Sequence, residues 1–128
     1  MNYGLKRRIN MEFEKVDKNI REALMEEGFG IITEIDVQKT FKQKLNRDFK
    51  KYKILGVCVP NTAFQAISVD EQIGLLLPCK MAFWENEDKS TTVAAIDFAA
   101  QLSSAGVEEL KPQANQINSK LKNAMNKL

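Results

Sequence analysis

Apolar and polar positions along the chain switch between a two-residue and a 3.6-residue period, and each switch marks an element. Over residues 3–9, Tyr3, Leu5 and Ile9 alternate imperfectly with charged residues, which predicts a first strand. Over 11–27, Phe13, Val16, Ile20, Ala23 and Leu24 recur at helical spacing with charges between them, which predicts an amphipathic helix. Asn10 is its expected N-cap, and Glu12 and Glu14 suit the positive end of the helix dipole. Gly28 is the expected C′ residue, although Glu26 and Glu27 oppose the dipole in the last turn. Residues 29–35 are apolar and β-branched and predict a strand. Asp36 then caps a helix over 37–46, with Val37, Phe41 and Leu45 on one face.

Residues 52–59 form a strongly apolar strand that Pro60 ends. Asn61 is the expected cap of the next helix, whose inner face is read as Phe64 and Ile67 and whose end is marked by Asp70 and Glu71. The apolar run 73–84 carries Pro78 in its middle, so a bulge, a kink or an edge position is expected there. Glu85 to Lys89 reads as a hairpin loop, and 91–98 returns as a strand. Ala99 to Gly106 is small and polar and reads as an irregular connection. Pro112 suits the first turn of a final helix, with Ile117, Leu121, Ala124, Met125 and Leu128 as its apolar stripe. The order β-α-β-α-β-α-β-β-α predicts one α+β domain over 1–128, a mostly antiparallel sheet covered on one face by helices.

Composition narrows the function classes. With 44% apolar and 28% charged residues in 128, the chain can bury one core. A net charge of +2 does not by itself demand a polyanionic partner. No run approaches the roughly 18 apolar residues of a membrane span. Met1 to Asn10 places no apolar stretch after Lys6, Arg7 and Arg8, so no secretory leader is read and a cytoplasmic location is expected. The chain has two cysteines and no histidine. That excludes a Ser-His-Asp triad, a Cys-His dyad, a His-ligated metal and imidazole acid–base chemistry within one chain. Two cysteines in a cytosolic chain are expected as reduced thiols.

The candidate chemistry starts with those thiols. Cys58 lies just before Pro60, and Cys79 follows Pro78 and precedes Lys80. Both sit where a predicted strand stops or bends, and neighbouring strands would bring the sulfurs to one pocket. The pair would then carry sulfur, sense oxidation or hold a soft metal, with Lys80 lowering the pKa of Cys79. Alternatively both are small, inert core residues. Their spacing fits no zinc or iron–sulfur pattern, and no cofactor follows from it. Glu34 and Asp36, two apart on a strand, share a face and offer an acid–base pair or a hard-cation site. Against that stand a capping role for Asp36 and a lysine partner for Glu34. Asp97 ends an apolar strand, where backbone capping competes with catalysis. The basic stretch Lys39 to Lys53, with Phe41, Phe49 and Tyr52 interleaved, would attract single-stranded nucleic acid or a small anion. If Phe41 belongs to the core, those charges are only a solvated face. Trp84 near the hairpin tip is read as an interface residue if exposed and as a sheet residue if half-buried.

Three runs carry a family resemblance. They are Gly28 to Val37 (Gly28, Phe29, Gly30, Ile31, Ile32, Thr33, Glu34, Ile35, Asp36, Val37), Lys53 to Pro60, and Ile73 to Cys79. In order and spacing they resemble domain-of-unknown-function family 302 over about residues 3–98. The resemblance implies a sheet-and-helix fold similar to the TATA-box-binding-protein layer, usually as a homodimer, and implies no particular activity. The chain departs from the family pattern at Val59 and Lys80, where Asn is frequent, and at Phe98, where Pro is common. The resulting expectation is a small dimeric ligand-binding or accessory module without intrinsic catalysis. A thiol-dependent protein using Cys58 and Cys79, and a weak nucleic-acid binder through 39–53, are its rivals.

Overall fold

The computed structural model describes residues 3–128; the part of the N-terminal reading that rests on Met1 and Asn2 lies outside them. Five strands form one antiparallel sheet in the order β1-β5-β4-β3-β2, with β1 Gly4–Ile9, β2 Gly30–Asp36, β3 Tyr52–Cys58, β4 Cys79–Glu85 and β5 Thr91–Ile96. Helices α1 (Phe13–Glu26) and α5 (Lys111–Asn126) pack on its inner face, and α4 (Phe98–Ser104) packs beside α5. Two further helices, α2 (Val37–Leu45) and α3 (Pro60–Val69), continue from opposite ends of β2 and β3. The predicted α+β class and antiparallel sheet therefore hold.

The inner face is built by strand alternation. Leu55 and Val57 of β3, Cys79, Met81 and Phe83 of β4, and Val93 and Ala95 of β5 all lie in the core. The stripe Phe13, Val16, Ile20, Ala23 and Leu24 of α1 meets them, as does the stripe Ala114, Ile117, Leu121, Ala124 and Met125 of α5. Phe13 stacks on Phe83 with ring centroids 5.1 Å apart. Among the described residues the helices with long buried stripes, α1 and α5, lie on the inner face, while α2 meets the sheet chiefly at β2 and β3. The register sets Ile35, Ile54, Ala82 and Ala94 in one row across the outer face, and Tyr52, Trp84, Thr92 and Arg8 in the next.

Helix ends follow partly different residues from those expected. Glu12, not Asn10, occupies the N-cap of α1, with no side-chain cap bond. At its other end Gly28 takes φ +88°, and the Gly28 and Phe29 N–H groups donate to Met25 and Leu24 carbonyls. That left-handed step is why glycine stands there. Helix α3 begins with Pro60 at its first turn and Val59 as cap, so Asn61 caps nothing.

Three larger expectations are corrected. First, α3 turns its small residues inward: Ala66 is buried, whereas Phe64 and Ile67 are 73% and 43% exposed. Small side chains allow the helix to approach the sheet end closely, and the large ones are left outside. Second, the run 73–84 is not one strand. Glu71–Leu76 is a 3-10 helix, the Leu77–Pro78 peptide is cis, and only Cys79 onward joins the sheet. Third, Ala99 to Gly106 is not irregular. Asp97 accepts from the Ala100 N–H, Phe98 and Leu102 are buried one turn apart, and Gly106 at φ +77° stops the helix α4. Likewise α2 buries no residue, so Phe41 is not core; it meets Phe49 edge-on instead.

Gly56 has a packing reason. A Cβ there would overlap the Thr33 hydroxyl and lie 2.7 Å from Pro78 Cγ, a rigid ring atom. Gly56→Val is expected to destabilise by about 1–3 kcal/mol through overpacking. Gly74→Ala, where nothing lies within 4 Å, is expected within about 0.5 kcal/mol of the parent. Urea melts of both variants check this, and equal midpoints would refute it.

Candidate functional site

The register Val57 opposite Cys79 brings both cysteines to the same end of the sheet. Cys58 is half-buried and Cys79 buried, and both are free thiols. They line one pocket with Phe29, Val59, Thr62, Ala63 and Ala66 among its walls. The polar side-chain group among the wall residues, apart from the two thiols, is the Thr62 hydroxyl. Free volume inside is about 20 Å³, the size that admits roughly one water. Helix α3 forms the outer wall and is held by little burial of its own.

The electrostatics of the pair do not favour a thiolate at Cys79. Burial pushes its thiol up to about 12, the neighbouring Cys58 sulfur adds to the rise, and Lys80 lowers it least of the three. The reason is geometric. Lys80 is exposed and, by alternation, points to the outer face while Cys79 points inward. Pro60 sits at the start of α3 and helps set the wall, without lining the pocket. Among the described residues, no group of three Cys, Asp or Glu side chains is arranged to hold a metal ion.

The carboxylate candidates have separate partners and do not form an acid–base pair. Glu34 is ion-paired with Arg21 of α1, which Asp17 also engages at 2.7 Å. Asp36 accepts from the Lys39 N–H at 3.0 Å and caps α2. Asp97 accepts from the Ala100 N–H and from Asn118 Nδ2 at 2.8 Å, which fastens α4 to α5. Asn118, not singled out from the sequence, closes that junction by also accepting from the Phe98 N–H at 2.9 Å.

The basic stretch is divided by the sheet. Lys53 turns to the inner face and meets Asp17 at 2.7 Å, and Lys51 pairs with Glu14. Lys50 lies 5.9 Å from the rings of both Phe49 and Trp84. Trp84 is half-buried and stacks on Tyr52 at 5.3 Å. Thus only part of 39–53 faces one groove, between α2 and the loop that follows it. No described helix is long and apolar enough to cross a membrane.

No curated protein matches the chain. A solved structure does: the uncharacterized conserved protein DUF302 from Bacillus stearothermophilus, 21% identical, covering 99% of this chain and 98% of that one at a TM-score of 0.89. At that identity the likeness shows the shared fold. The three sequence runs lie on β2 and the start of α2, on β3, and on the cis-proline turn into β4, so they frame the sheet end that holds the two thiols. With the model for the domain of unknown function DUF302 matching residues 5–128, the chain belongs to that family.

Proposed function

We propose that the protein is a dimeric binding or accessory module without intrinsic catalysis, which takes a small uncharged apolar molecule in the thiol pocket. The observation that carries this reading is the apolar lining of that pocket beneath a helix that buries only Ala66. An element with so little burial opens at lower free-energy cost than the core beneath it. Opening of α3 enlarges the small space, and the absence of lining charges selects against ionised ligands. The raised pKa of Cys79 weighs against the thiol-redox alternative.

The outer sheet face supports the dimeric part of the reading, with a second copy as its occupant. Five strands of about six residues span about 24 by 20 Å. Two such faces would bury about 1,000 Å² in total, the lower bound for a stable interface. The row Ile35, Ile54, Ala82 and Ala94 is uncharged and ends in Lys6 on β1, with Arg8 and Lys80 in the flanking rows. A neutral centre with a charged rim is the usual anatomy of such contacts.

Titration with the uncharged fluorophore N-phenyl-1-naphthylamine tests the pocket. One saturable site per chain is expected, and Ala63→Trp is expected to weaken it at least about tenfold by filling the space. Binding that ignores Ala63→Trp, or none at all, sinks the pocket reading. Sedimentation equilibrium tests assembly separately: a species of twice 14.5 kDa is expected, and Ala82→Arg is expected to halve it. A monomer at all micromolar concentrations removes the dimer.

A further inference from the structure

We propose that the groove between α2 and the loop after it, at the sheet end opposite the thiols, binds a small polyanion of the diphosphate or polycarboxylate class. The groove has a volume of about 660 Å³ and is lined by Gln38, Lys39, Lys42, Gln43, Arg47, Asp48 and Phe49. Gln38, Lys39, Lys42 and Gln43 sit at i, i+1, i+4 and i+5, so one helix face presents two ammonium groups and two amides. The opposite wall supplies the Arg47 guanidinium, whose planar fork suits phosphate and carboxylate oxygens.

The charges are not spent within the protein. Lys39 and Arg47 have no ion-pair partner among the described residues. Lys42 meets Asp48 at 3.1 Å, but the Asp48 side chain is 93% exposed and can swing away. Three cations thus face one replaceable carboxylate.

The groove is also built rather than incidental. A nine-residue helix that buries nothing is marginal by itself. Here the Asp36 side chain caps its start, and Asn46 at φ 50° turns the chain back. The Arg47 N–H donates to the Phe41 carbonyl, and Gln38 Nε2 donates to the Phe49 carbonyl at 3.0 Å. Phe49 packs edge-on to Phe41. Helix and loop are thereby held apart at a fixed width, with the cationic groups facing the space between them.

Trp84, within 5.9 Å of Lys50 and stacked on Tyr52 beside Phe49, reports on this region. Calorimetric titration of the full chain with inorganic pyrophosphate, and separately with citrate, is the test, with Trp84 fluorescence alongside. Saturable binding of at least one probe below about 1 mM is expected, weakening as salt rises. Lys39→Glu and Arg47→Glu are each expected to weaken it about tenfold without changing the melting temperature. Asp48→Asn is expected to tighten it several-fold, and Lys122→Glu on α5 to leave it unchanged. Absence of saturable binding to both probes overturns the proposal, as does binding that survives both charge reversals. Neither result bears on the thiol pocket, which lies at the other end of the sheet.

Discussion

In the parent chain, followed by peptide mapping, the Cys79 thiol will react with iodoacetamide near pH 8 at least about a thousandfold more slowly than in the unfolded chain. An ordinary cysteine near pKa 8.5 is about one quarter thiolate at that pH. A thiol pushed up to about 12 is ionised to about one part in ten thousand, and burial blocks the reagent as well. The half-buried Cys58, alone in a Cys79→Ser variant, should label far faster. The same shift fixes the sign of a pH effect. The folded pKa lies above the unfolded one, so the neutral buried thiol contributes its full stability below about pH 8.5. That contribution is lost as pH rises toward about 12. Urea midpoints from pH 7 to 10 should therefore fall less steeply in Cys79→Ala than in the parent. Rapid native labelling of Cys79 would refute the buried-thiol picture and revive a redox role.

Phe83→Ala should be the most damaging single truncation, costing about 3–5 kcal/mol. The Phe83 side chain is fully buried, lies at the centre of β4 and stacks on Phe13 of α1. Its removal leaves a cavity between the sheet and the helix layer that the close-packed neighbours fill only in part. Domains of this size are stable by about 5–15 kcal/mol, so a large share of the total is at risk. Phe64→Ala is the matched control. Its ring is 73% exposed, and the change is expected within about 0.5 kcal/mol of zero. Equal losses at the two positions would mean that α3 packs differently from the structure described.

What could be read from the chain alone was set by strong local pattern. The stripes of α1 and α5 repeat over four turns, and only one face of such a helix can be apolar. Asp36 stands where a strand gives way to a helix, and a short carboxylate there reaches a backbone N–H within three residues; at Asp97 the pattern pointed to backbone capping but not to the helix that it caps. Gly28 needed a positive φ, which glycine supplies most cheaply. The absence of histidine excludes whole reaction classes within one chain on composition alone.

What only the tertiary structure decided depends on which surface happens to lie opposite. Phe64 and Phe83 are the same residue type on apolar segments, yet one faces solvent and one the core. Helix α4 was hidden because Phe98 and Leu102 are too few to make a periodic signal until α5 covers them. The run through Pro78 reads as one strand by composition, but the chain must first cross the end of the sheet before β4 can pair with β3. The lysine next to Cys79 is adjacent in sequence but opposite in space, because neighbouring strand residues point to opposite faces. The two cysteines line one pocket because β3 and β4 are neighbours at one end of the sheet, and the basic groove forms because Asn46 reverses the chain at the other. Both sites depend on contacts between distant segments, for which a local pattern carries no term.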